Sequence, residues 1–63
     1  MMEDMVNIGQ YDADQLKEMK SDEKCQGMIK VGRILLDGEF DSGCIWAKDG
    51  DGEAYEMACQ YAF

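Results

Sequence analysis

Carboxylates are the one reactive group this chain has in quantity. Its 63 residues hold fourteen acids and six bases, a net charge of −8, and no histidine. Asp14, Glu18 and Asp22 follow i, i+4, i+8 spacing. On a helix they form a single ridge, with about 6 Å of rise between neighbours. Such a row can present negative charge much as a phosphate backbone does. The plainer alternative is a solvated face, partly neutralised by Lys17 and Lys20. Like charges at this spacing weaken a helix by a few tenths of a kcal/mol each. Two further clusters are Asp37, Glu39 and Asp41, and Asp49, Asp51 and Glu53. The catalytic inventory is otherwise thin. There is no threonine, and the only serines are Ser21 and Ser42. Acid–base work would fall to carboxylates, lysines or tyrosines. So small a domain leaves little volume for a concave, preformed pocket, and the expectation is a protein that is not an enzyme.

Metal and redox chemistry find equally little support. Asp49-Gly50-Asp51-Gly52-Glu53 resembles the middle of an EF-hand calcium loop. Aligning Gly52 with the loop glycine puts Ala47 at the first ligand position and Ala58 at the twelfth, so both essential carboxylates are missing. The segment reads as a turn. Cys25, Cys44 and Cys59 are an odd set with no CxxC pair and no histidine beside them. That excludes the usual zinc patterns and favours reduced thiols in a cytoplasm. No cofactor is expected. No apolar run approaches the roughly 20 residues of a membrane span. The start, Met1-Met2-Glu3-Asp4, lacks the apolar core of a signal peptide. The acidity argues against direct contact with nucleic acid or anionic membrane.

These residues must be positioned by one small domain, residues 1–63. Residues 1–10, with Met5, Val6 and Ile8, read as a frayed end or a short edge strand. Asp12 is a good N-cap, with Gln15 placed for a capping box and Tyr11 and Leu16 at the staple positions. The helix is predicted from Ala13 to about Gln26, ending at Gly27, with Ala13, Leu16 and Met19 as its apolar stripe. A hairpin follows, with Asp37-Gly38 as its two-residue turn. Leu36 then pairs with Glu39, Leu35 with Phe40, Val31 with Cys44 and Ile29 with Trp46. One face collects Ile29, Val31, Leu35, Phe40, Cys44 and Trp46, and is expected to be the buried one.

The last segment alternates Tyr55, Met57, Cys59, Tyr61 and Phe63 onto one face and reads as a third strand. Its register is open. A four-residue loop pairs Trp46 with Tyr55. An Asp51-Gly52 turn pairs Trp46 with Met57 and Cys44 with Cys59. A helix over residues 53–62 is the rival, because Ala54, Met57, Ala58 and Tyr61 also make a helical stripe of good helix formers. The expected fold is α+β: one N-terminal helix, then a three-stranded antiparallel meander (α-β-β-β), the helix covering one sheet face. Cys44, Cys59 and Trp46 are placed in the core, and Cys25 at the surface.

The charge is uneven along the chain. Residues 1–24 carry −4, residues 25–36 carry +2 through Lys30 and Arg33, and residues 37–63 carry −6. The sheet face away from the helix would hold Met28, Ile34, Ile45, Ala47, Ala54, Ala58 and Ala62. It is too apolar for plain exposure and suggests a partner. In size and composition the chain resembles the small acidic inhibitors that phages encode, including anti-CRISPR proteins and DNA mimics of restriction or repair enzymes. That resemblance is one of class and carries no residue across. It implies an inhibitor that offers carboxylates to the basic groove of a nucleic-acid-binding protein. Asp14, Glu18 and Asp22 would be the phosphate mimics, with Asp37, Glu39, Asp49 and Asp51 as auxiliaries. The other expectation is an interaction module or homodimeric regulatory subunit, joined through Ile34, Ile45 and Ala58 on the outer sheet face.

Overall fold

A computed structural model describes residues 4–63. Its order is β1 (Met5–Tyr11), α1 (Ala13–Ser21), α2 (Glu23–Lys30), β2 (Ile34–Glu39), β3 (Ser42–Lys48) and α3 (Gly52–Tyr61). The sheet is three-stranded, in the order β1-β3-β2, with both pairings antiparallel. β1 and β2 therefore run parallel, joined by the two helices, with β3 inserted between them. This β-α-α-β-β-α order replaces the expected single helix and meander. The edge-strand reading of the N-terminal segment holds over Met5–Tyr11, residues 1–3 lying outside the described residues, and the rival helical reading of residues 53–62 replaces the third strand.

The start of α1 follows from side-chain chemistry. Asp12 accepts from the Asp14 and Gln15 amides at 3.0 Å each, and the Gln15 side chain accepts from the Asp12 amide at 3.2 Å. That reciprocal pair satisfies amides the helix leaves open. The helix does not reach Gln26. It stops at Asp22, whose own amide still donates to Met19 while its carboxylate accepts from the Lys24 and Cys25 amides. Asp22 thus ends α1 and caps α2. Gly27, the expected stop, lies inside α2. The stop is Gly32, with φ of +82°. The Arg33 amide donates to Met28 O at 2.8 Å and the Gly32 amide to Ile29 O at 3.1 Å, the two bonds of a Schellman ending.

The hairpin turns at Phe40-Asp41 instead of Asp37-Gly38, because Glu39 pairs with Ser42 and Leu36 with Ile45. Gly38 sits opposite Gly43, where a Cβ on either would collide with backbone of the other strand. The Asp-Gly glycine serves this close approach, not a turn. The shift spans an even number of positions, so the residues of β2 and β3 divide between the two faces as expected, but Ile29 and Val31 lie in α2 and at its C-cap, off the sheet. The covered face is the reverse of the one predicted. Ile34, Ile45 and Ala47 are buried, along with Tyr11, Met19, Cys25, Met28, Ala54, Ala58 and Tyr61. Leu35 is 39% exposed and Phe40 95% exposed, and Cys44 and Trp46 are only partly covered.

Helix α3 explains the reversal. Asp51 caps it by accepting from the Ala54 amide. Ala54, Ala58 and Tyr61 are its buried residues, spaced four and three apart. The small Ala54 and Ala58 let the helix lie close on β3, where Ala47 is equally buried. The alanines anticipated as a landing surface for a partner are covered from within. The cysteine assignments invert too: Cys25 is buried, Cys44 half-buried and Cys59 exposed. With Cys44 on a strand and Cys59 on a helix, the cross-strand pairing of these two disappears.

Candidate functional site

Register brings separate carboxylates to one end of the sheet. Tyr11, the last residue of β1, lies opposite Gly43, and so does Gly38 of β2. α1 begins two residues after Tyr11, and the hairpin turn lies two residues beyond Gly38. Asp12 and Asp14 are therefore at the same end as Asp37, Glu39 and Asp41. A depression of about 250 Å³ marks the junction, lined by Gln10, Asp12, Ser42, Cys44 and Phe63 among others. Residues 10–16 and 37–44 contain no lysine or arginine. All five of these carboxylate residues are exposed. Burial, and after it the Asp37 charge, push the Tyr11 phenol above its usual range.

The opposite end is electrically different. Arg33 grips Asp51 with two bonds, Nε to Oδ2 at 2.6 Å and Nη2 to Oδ1 at 2.9 Å. Its Nη2 also reaches Glu53 at 2.9 Å, and Lys24 Nζ meets the other Glu53 oxygen at 2.8 Å. This network ties α2, the start of β2 and α3 together. The Arg33 hydrogen bonds hold the Asp51 carboxyl down at about 2. Lys24, followed by Arg33, lowers Glu53. A fork of this kind is the stronger form of ion pair.

The predicted site residues divide accordingly. Asp14 and Glu18 are exposed on α1 and share a face four residues apart. Asp22 does not extend their ridge, because the helix has ended. It turns in to cap α2 and to accept from Tyr61 Oη at 2.6 Å. The Tyr61 bond lowers Asp22, and the same bond pushes the phenol up to about 12. Asp37 and Glu39 are exposed beside the hairpin turn, and Asp49 is exposed at the far end of β3. Asp51 belongs to the internal network. Ile34, Ile45 and Ala58, expected on an outer dimer face, are 1%, 0% and 1% exposed and lie in the core. That face is not a surface of the folded chain.

Part of this end escaped the sequence: Asp12 was visible only as a cap, and nothing joined it to the Asp37, Glu39 and Asp41 cluster. The β1–β3 pairing that brings Asp12 to the hairpin leaves no local signal. Among the described residues no group of acids and cysteines is arranged to hold a metal ion, and no helix is long and apolar enough to cross a membrane. Comparison with family models, curated proteins and solved structures finds no significant match to this chain.

Proposed function

We propose that the chain is a small acidic binding protein that presents its hairpin end to a basic surface of a protein partner. The partner class favoured is a nucleic-acid-binding protein, with the carboxylates standing in for phosphates and the chain acting as an inhibitor of the phage-encoded type. The observation that carries this is the gathering of Asp12, Asp14, Asp37, Glu39 and Asp41 at one end whose two sequence stretches hold no base. Like charges so collected oppose folding, and the five have no shared structural task that offsets this. Asp12 alone among them caps a helix. Glu18 continues the acidic surface along α1. Asp22 and Asp51 drop out of the binding set, because each already has an internal bond. Asp49 serves as a control at the other end. The absence of histidine and threonine supports a binding role over catalysis, and three unpaired thiols support a cytoplasmic setting.

The test is a capture experiment from nuclease-treated bacterial lysate with three baits: wild type, D37K/E39K/D41K and D49K. Nucleic-acid-binding proteins should be held by wild type and by D49K, be released as salt screens the contact, and be absent from the tip-reversed bait. The same proteins on all three baits would refute the assignment to this end.

A further inference from the structure

We propose that Phe40 is the anchor of this end, seating in an apolar pocket of the partner whose rim carries lysine or arginine. The proposal rests on the acidic-end assignment and adds the pocket to it. Phe40 lies in the two-residue turn with φ of 58° and is 95% exposed. Glycine and asparagine take that left-handed conformation at little cost, whereas a bulky aromatic residue there is an outlier. The ring neither fills the core nor suits the backbone, and it puts a large apolar group into water.

The hairpin beneath it is short and closely paired. The Gly38 and Gly43 backbones are in direct contact, with no side chain between them. A two-residue turn leaves the tip few backbone conformations to lose on docking. Aromatic residues are enriched at the buried centres of protein interfaces. The chemistry of the pocket's rim follows from Asp37, Glu39 and Asp41 flanking the ring in sequence, with no base between Asp37 and Cys44. A second copy of the same tip, an anionic lipid surface and a nucleic acid are all repelled by those charges.

The experiment uses the full chain and two labelled peptides of equal positive charge, one oligolysine and one in which leucines are interspersed as an amphipathic helix. Binding is read by fluorescence anisotropy. Wild type should prefer the leucine-bearing peptide by roughly tenfold, the effect of burying much of one aromatic ring. Phe40→Asn should abolish the preference and keep oligolysine binding, and Phe40→Leu should retain most of it. The urea midpoint of Phe40→Asn should equal or exceed that of wild type, since asparagine tolerates the turn. A retained preference in Phe40→Asn, no preference in wild type, or a lowered midpoint overturns the proposal. Equal oligolysine binding by wild type and D37K/E39K/D41K instead refutes the acidic end itself, whatever Phe40 does.

Discussion

Two neighbouring residues of β2 decide which face of the sheet is the core. Ile34 is 1% exposed and Leu35 is 39% exposed, and they point to opposite sides. A register slip of one residue would exchange them. Cutting Ile34 to alanine removes three buried carbons, about 2.4 kcal/mol at roughly 0.8 kcal/mol per group. The cavity left behind raises the cost within a range of about 2–5 kcal/mol. Leu35 loses the same three carbons, but from a site that water already reaches. Its transfer loss is about 1.5 kcal/mol, and no closed cavity forms. A domain of this length has a total stability of only about 3–9 kcal/mol. Urea unfolding, followed by the fluorescence of Trp46, reads the difference. With a slope near 1 kcal/mol/M, Ile34→Ala should lower the midpoint by about 2 M or more, and Leu35→Ala by about 1–1.5 M. Ile34→Val, at about 0.5–1.5 kcal/mol, gives a graded point should the alanine variant be unfolded in water. A larger loss for Leu35→Ala than for Ile34→Ala would show that the opposite face is the covered one.

The pH profile should have two limbs. Asp51, held at about 2 by Arg33, contributes stability that is present above its ordinary range and is lost as pH falls from about 4 towards 2. Asp22 and Glu53, also lowered, act in the same direction. Cys25 is pushed up to about 11 by burial, and Tyr61 to about 12 by its bond to Asp22. Their contributions hold below pH 9 and fade as pH rises through those values, so thermal midpoints should decline at both extremes. An R33Q variant that keeps the whole acid limb would refute the Asp51 assignment. Thiol labelling gives a separate check: Cys59 should react at once, Cys44 more slowly, and Cys25 only on unfolding. Fast labelling of Cys25 in the folded chain would contradict the packing of α2.

Some local signals in the sequence led to the right places. Asp12 and Gln15 announced the start of α1, and the hairpin reading made the segments around Leu35 and Cys44 antiparallel neighbours. What failed was the weighing of signals against tertiary demands. Asp37-Gly38 is a strong turn signal, yet glycine is needed there because two backbones meet. Phe40 has no turn propensity and forms the turn. Tyr55, Met57, Cys59 and Tyr61 alternate as a strand would, but Ala54, Ala58 and Tyr61 are the residues that bury. The size pattern misled because alanine, the best helix former, was also the contact residue. The acidic end was half visible. Asp37, Glu39 and Asp41 are contiguous enough to notice, whereas Asp12 and Asp14 join them only through a pairing between distant segments.

The insertion of β3 between β1 and β2 also sets an order in time. β2 and β3 are joined by two residues, so they can pair as soon as both exist. β1 has no neighbour in the sheet except β3, and its partners lie 32 to 43 residues further along. During synthesis β1 precedes its partner strand, and α1 and α2, of nine and eight residues, are marginal until they have a sheet to lie on. Pairing across so long a loop carries more closure entropy than the two-residue hairpin does, and non-local pairing of this kind is the slower step. The last strand made is thus the one that completes both ladders. The acidic end, assembled from the first strand's exit and the hairpin, comes into being only when that strand is in place.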